Sequence, residues 1–300
     1  MDTRLLGRTN LVVSRLGIGL TEVGKEVGLD DEARAARLLN GALDAGITFL
    51  DTAACYGWSE TWIGRAIAHR RNEYVLATKC GHVVGPDGLR TPSQDGAWTN
   101  ETIAHSVERS LRLLKTDHVD LLLLHSCGMD VLQRGDVIRA LQDAKSAGKT
   151  RCIGYSGDGE AAQWAVTSGQ FDALETTYNL VCQEARDGLF GLLNATDVGL
   201  IAKRPIANGV WGAGALPLYC PPQDLQRARA MAAGGAIPGA PDNHIHLALG
   251  FVLAHDEVDT AIVGSAKLEH VQENVAWLDS GGRLAPSVVA ELYRRFDAMH

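Results

Sequence analysis

Four side chains that handle protons stand at Asp51, Tyr56, Lys79 and His125. Asp51 and Tyr56 belong to one short stretch, Asp51-Thr52-Ala53-Ala54-Cys55-Tyr56-Gly57. A phenol titrates near pKa ~10, too high for ready proton exchange at neutral pH. A neighbouring ammonium favours the phenolate and lowers that value. Lys79 is the expected cation, with Asp51 placed to hold it charged and oriented. His125 is expected to hydrogen-bond a substrate oxygen and steer it. Together they describe a general acid beside a polarised carbonyl, with Tyr56 as the proton donor. No side chain donates hydride, so the electrons must come from a bound cofactor.

These residues act together only if the fold gathers them, and the chain shows how. Short apolar runs recur, each followed by a segment with helical spacing. The runs are Arg15–Gly19, Ile47–Asp51, Tyr74–Lys79, Val119–His125, Arg151–Ser156, Phe171–Thr176, Leu200–Arg204 and Thr260–Gly264. Several are apolar almost throughout, as strands covered on both faces should be. Helices are predicted over 31–45, 61–68, 99–114, 131–147, 159–167, 184–196, 244–254 and 267–278. Eight strands alternating with eight helices imply an all-parallel sheet. A closed (β/α)8 TIM barrel suits the 300 residues better than an open sheet. Leu5–Val13 is expected as an N-terminal hairpin across the bottom of the barrel, and Leu284–His300 as an extra C-terminal helix. Residues 1–300 are expected to form a single domain. The runs end in Asp51, Lys79, His125, Ser156, Lys203 and Arg204, and Gly264 and Ser265, with Glu175 carried on the sixth. Polar groups closing apolar strands are stable only with partners, so one rim carrying all of them is expected to be the site. The long loops His82–Trp98 and Ile206–Asn243 follow strands and cover the same rim. Trp98 and Trp211 are their candidate substrate contacts.

The remaining composition narrows the class. Lys and Arg total 28 against 36 Asp and Glu, a net charge of −8, which argues against nucleic-acid and polybasic membrane partners. The first residues carry no apolar signal-peptide core, and no apolar run is long enough to span a bilayer. The six cysteines form no C-x-x-C pair and are expected as free thiols in a reducing, cytoplasmic setting.

In its motifs the sequence resembles the aldo-keto reductase family over nearly the whole chain. The resemblance is carried in order by Asp51-Thr52-Ala53 leading to Tyr56-Gly57 and Glu60, by Ala77-Thr78-Lys79, and by Leu124-His125. It implies a catalytic tetrad of Asp51, Tyr56, Lys79 and His125, and reversible NAD(P)H-dependent reduction of an aldehyde or ketone. It also implies that Ser156 and Glu175 face the nicotinamide carboxamide, although Gly157 follows Ser156 where the family has Asn, and Glu175 stands where it has Gln. Lys203, with Arg204 beside it, falls where a stacking Tyr is common. Gly264, Ser265, Lys267, His270, Glu273 and Asn274 resemble the family's clamp for the adenosine phosphate. His270 stands where Arg is frequent, so the resemblance implies NADP(H) with a weaker preference over NAD(H).

Several competing readings concern the same residues. Cys80-Gly81-His82 and His125-Ser126-Cys127 contain zinc-ligand types. His125 already has a role, however, and Cys80 points away from Lys79 on its strand, so no metal is expected. Gly154-Tyr155-Ser156-Gly157 is not a nucleophile elbow, because the second Gly comes one residue early. Two functional alternatives stay open: an NAD-dependent sugar or alcohol dehydrogenase running the chemistry backwards, and a nonenzymatic cofactor-binding redox sensor. The substrate, a small carbonyl or sugar, and the oligomeric state are not specified by the sequence.

Overall fold

The structure, a computed structural model, describes residues 1–210 and 220–299. It begins with a hairpin, β1 (Thr3–Leu5) paired antiparallel to β2 (Val12–Ser14). Eight parallel strands follow: β3 (Leu16–Gly19), β4 (Phe49–Asp51), β5 (Val75–Cys80), β6 (Val119–His125), β7 (Thr150–Ser156), β8 (Ala173–Thr177), β9 (Gly199–Lys203) and β10 (Thr260–Gly264). Each pairs with its successor, and β10 pairs with β3, so the sheet closes into a barrel. All eight strands lie where the apolar runs placed them. The last helix, Pro286–Asp297, is the extra C-terminal one. No helix among the described residues is long and apolar enough to cross a membrane.

Strand parity divides the core in two. Outward residues such as Leu50, Leu76, Leu122 and Leu174 pack against the helices. Phe49, Ala77, Leu121, Leu123, Cys152, Ala173, Ile201 and Ile262 form a separate cluster inside the barrel. The hairpin closes that cluster from below with Leu6, Leu11 and Val13, all fully buried. Burying each of these side chains contributes roughly 1.5–3 kcal/mol. Gly7 makes the close approach possible. Its φ is +45°, and a Cβ there would fall 2.3 Å from the Gly199 amide nitrogen.

Helix ends follow local chemistry. Thr99 caps Asn100–Leu114 by accepting from the Thr102 amide at 3.2 Å, and Asn243 caps His244–Leu253 in the same way at Ile245. Two expected helices are broken. The segment 131–147 is Met129–Arg134 followed by Asp136–Ser146, divided at Gly135 with φ +75°. The segment 184–196 is a 3-10 turn, Glu184–Arg186, then the helix Leu189–Thr196, divided at Gly188 with φ +95°. In both, apolar spacing runs on through a glycine that takes a left-handed conformation and ends the first turn. A short helix, Thr21–Glu26, follows β3 and was not expected.

Candidate active site

Inside the barrel, beyond the apolar layer, the inward positions become polar on six of the eight strands. Phe49 is followed by Asp51, Ala77 by Lys79, Leu123 by His125, Ala173 by Glu175 and Ile201 by Lys203, with Ser156 at the corresponding place on β7. The strand period of two keeps all of them on the inner face. The register sets His125 beside Ser156 and Ser156 beside Glu175.

Lys79 is the centre of this layer and is 1% exposed. A buried ammonium survives only with compensating anions. Its Nζ donates to both oxygens of Asp51 at 2.5 Å and to the Thr52 carbonyl at 3.1 Å. Glu175 Oε2 lies 3.3 Å from the same nitrogen. Burial alone would lower the Lys79 pKa, but the carboxylates of Asp51 and then Glu175 outweigh it and hold the amine charged. Burial and then the Glu175 carboxylate push Asp51 upward, against the pull of Lys79.

Tyr56 is carried by a loop fixed at several points. Thr52 donates to the Ala77 carbonyl at 2.9 Å and Ala54 to that of Lys79 at 3.1 Å. Arg109, paired with the buried Glu60, donates to the Ala54 carbonyl at 3.2 Å. Gly57 and Trp58 then bond the carbonyls of Gly88 and Gly24. Gly24 has no room for a side chain, since a Cβ there would fall 1.7 Å from the Tyr56 carbonyl oxygen. The loop places the Tyr56 ring with its centroid 5.1 Å from Lys79 Nζ and edge-on to His125, at 5.6 Å between centroids. The four residues expected as a catalytic set are therefore together.

The electrostatics differ from the expectation in one respect. Lys79 lowers the Tyr56 pKa, as expected, but burial raises it by more, and Asp51 and Glu175 add to the rise. The net direction is upward, so the phenol stays protonated throughout the neutral range. Burial, then Lys79 and His82, push His125 well below its ordinary value, so its ring is neutral. Such an imidazole can donate a hydrogen bond without carrying charge.

The expected cofactor residues fall into two groups. Near the tetrad, Ser156 Oγ donates to Glu175 Oε1 at 3.0 Å. Glu175 Oε2 is buried, with the Lys79 ammonium 3.3 Å away. A carboxylate accepts several hydrogen bonds, so an amide NH2 can add to that ion pair, and Ser156 and Glu175 together fit a nicotinamide carboxamide. Lys203 pairs with Asp158 at 3.3 Å, and Arg204 is exposed with a left-handed backbone. Beyond β10, Ser265 Oγ accepts from the Lys267 amide at 3.1 Å and lies 3.5 Å from His270 Nδ1, just before the helix Leu268–Asp279. This turn and helix start suit a phosphate. Glu273 accepts from Asn243 at 3.2 Å, and Asn274 is buried on the same helix. Gly264 faces a carboxylate, because a Cβ on it would fall 2.3 Å from Glu22 Oε2.

Trp98 anchors its loop beside the site. Its Nε1 donates to the His125 carbonyl at 3.1 Å, and its ring meets His82 at 5.2 Å. Trp211 lies outside the described residues. Cys80 does face away from Lys79, with its sulfur 3.6 Å from the Leu123 carbonyl oxygen among the outer core. The thiol that meets His82 and His125 is Cys55 instead, 3.4 Å from each Nδ1. Sequence reasoning missed Glu22 and Cys55. Glu22 sits three residues past the end of β3, and Cys55 directly precedes Tyr56, positions that a search of every strand-end loop would have raised.

Known proteins resemble this chain over most of its length. A model of the Aldo/keto reductase family matches residues 15–293. L-galactose dehydrogenase of Arabidopsis thaliana is 30% identical over 288 residues, covering 92% of this chain and 88% of that protein. Pyridoxal 4-dehydrogenase of Microbacterium luteolum is 25% identical and covers 93% of both chains. Among solved structures, the holo form of an aldo-keto reductase from Bacillus halodurans superposes with a TM-score of 0.83 at 26% identity. The match covers 98% of this chain and 96% of that one.

Proposed function

The chain belongs to the aldo/keto reductase family, and from that premise we propose that its four rim residues, Asp51 and Lys79 buried and Tyr56 and His125 half-buried, divide the work of carbonyl reduction, with Tyr56 as the general acid. The protein is an NAD(P)H-dependent oxidoreductase acting on a small-molecule carbonyl or, in reverse, an alcohol. The observation that carries the division of labour is the ammonium of Lys79, held by Asp51 and lying 5.1 Å from the Tyr56 ring centroid.

NAD(P)H, when bound, would supply hydride to the carbonyl carbon. The chain supplies the rest. Tyr56, kept protonated by burial, gives its phenolic proton to the carbonyl oxygen as negative charge develops there. The transfer remains downhill, because a phenol is a stronger acid than the alcohol that the alkoxide becomes. Lys79 stabilises the phenolate that remains, and Asp51 keeps Lys79 charged and aimed. The neutral His125 ring donates to the same oxygen and sets its orientation. Ser156 and Glu175 would hold the carboxamide end of the cofactor, with Lys203 and Arg204 beside them. Ser265, Lys267 and His270 would hold the adenosine phosphate, which would favour NADP(H) and leave NAD(H) usable. Gly264, Glu273 and Asn274 would complete that end. Trp98 walls the substrate side, as Trp211 is proposed to do. Six cysteines free of disulfides support a cytoplasmic setting.

The alcohol-oxidising direction is the second reading, favoured by two relatives named as dehydrogenases. There Tyr56 must first lose its proton, so oxidation rises with pH while reduction holds its rate through the neutral range. A panel of aldehydes, ketones and sugars, followed by the absorbance of reduced nicotinamide in both directions, tests the function. Turnover of at least one carbonyl is expected. Cofactor binding without turnover of any of them would overturn the reading in favour of a nonenzymatic sensor.

A further inference from the structure

We propose that Cys55, His82 and His125 form a binding site for one thiophilic divalent cation, with Zn2+ as the fitting ion. The carbonyl chemistry above uses neither Cys55 nor His82. Cys55 is 8% exposed and His82 is 7% exposed, and both lie against the His125 ring. The sulfur is 3.4 Å from His82 Nδ1 and 3.4 Å from His125 Nδ1. One ligand atom from each residue lies within 4.8 Å of the other two.

Those distances suit a shared ion. With Zn–S about 2.3 Å and Zn–N about 2.0–2.1 Å in a tetrahedron, sulfur and nitrogen stand about 3.5 Å apart and the two nitrogens about 3.3 Å apart. Both sulfur–nitrogen distances therefore need almost no adjustment. The imidazoles need to close by at most about 1.5 Å, which side-chain rotation supplies. One thiol and two imidazoles are a zinc donor set, and three protein ligands leave a fourth position for water.

The His82 ring is held between Cys55 and the Trp98 edge, at 5.2 Å from the latter, with Nδ1 turned to the sulfur. Binding converts the Cys55 thiol to a zinc-bound thiolate and releases its proton to solvent, with no change of oxidation state.

The site has a consequence that rests on the carbonyl-reductase reading. Ligation through Nδ1 rotates the His125 ring toward the ion and takes its Nε2–H off the substrate oxygen. The bound cation also sits beside the residue preceding Tyr56. Zn2+ therefore switches reduction off, reversibly and competitively with the carbonyl.

The test uses the full chain without a polyhistidine tag, stripped with chelator. Zn2+ binding is followed by equilibrium dialysis, and Co2+ substitution by its absorption spectrum. Wild type is expected to take up one ion per chain and to show a thiolate-to-cobalt band with tetrahedral intensity. Cys55→Ala and His82→Ala should each weaken binding by at least about tenfold, and Cys55→Ala should lose the thiolate band. Reduction by His82→Ala should continue at the metal-free rate while resisting Zn2+ that inhibits wild type. Binding of equal affinity in all three proteins, or a Co2+ spectrum without a thiolate band in wild type, would overturn the site. Metal-free protein that binds one ion in this way yet reduces no carbonyl supports the site and counts against the reductase reading instead.

Discussion

Replacing Lys79 by Met preserves side-chain length and removes the ammonium whose Nζ lies 5.1 Å from the Tyr56 ring centroid. At an effective dielectric near 20, a unit charge at that separation is worth ~3 kcal/mol to the phenolate. That corresponds to about two pH units in the phenol and, if fully expressed in the transition state, a rate loss of about a hundredfold. The substitution also leaves Asp51 and Glu175 without their cation. Two neighbouring buried carboxyls then share one proton, which limits the folding penalty and leaves an anion that raises the phenol further. Lys79→Met is therefore expected to lose about two orders of magnitude in kcat for reduction of a test aldehyde while NADPH binding, read by tryptophan fluorescence, changes little. Near-UV circular dichroism establishes that the barrel is intact. Folded Lys79→Met with kcat within about threefold of wild type, under ~1 kcal/mol of barrier, would refute the coupling of Lys79 to Tyr56.

Glu175→Gln keeps the acceptor for Ser156 and removes the carboxylate oxygen 3.3 Å from Lys79. The alkaline limb of alcohol oxidation should move to lower pH, because Glu175 is one of the groups holding Tyr56 up; an unmoved limb would separate the two. Gly24→Ala forces a methyl to within 1.7 Å of the Tyr56 carbonyl oxygen, so the loop must shift. It should lower stability in urea by about 1–3 kcal/mol and reduce kcat more than it alters cofactor binding, and wild-type kinetics would argue against a rigid Tyr56 loop. Asp259 is pushed up to about 6 by burial, above the ordinary carboxylate value. The folded chain holds that proton more tightly than the unfolded one, so the stabilisation is complete below about pH 4 and is lost as pH rises through about 6. Asp259→Asn keeps an acceptor for the Leu200 amide and should remove that slope, gaining at most about 3 kcal/mol at pH 8 in thermal melts. A melting profile of unchanged pH dependence would show that Asp259 does not titrate there.

Much of this site was legible because a barrel strand is a simple object. Period two and a closed end force Asp51, Lys79, His125, Ser156, Glu175 and Lys203 onto one inner face, so the end of each apolar run located the rim. The hairpin plug was legible for the same reason, as Leu6, Leu11 and Val13 are apolar where the barrel floor needs filling. What escaped depends on contacts between segments far apart in sequence. Cys55 meets His82 and His125 across two strand-end loops, and no spacing rule joins them. Trp98 turns inward to bond the His125 carbonyl, which its position in a Gly- and Pro-rich loop did not reveal. The sign of the Tyr56 shift also escaped. The nearby lysine was visible in the residues, but the extent of burial, which outweighs it, exists only in three dimensions. The helix breaks at Gly135 and Gly188 were overrun because apolar periodicity continues on both sides of each glycine.

Single-turnover reduction by Tyr56→Phe, with NADPH prebound and a reactive aldehyde added, measures the proton donor most directly. The expected result is unimpaired NADPH binding and a fall in the hydride-transfer rate of about 10²–10⁴-fold, the usual worth of a positioned general acid. A rate equal to that of wild type in the folded variant would contradict the assignment of the proton to Tyr56.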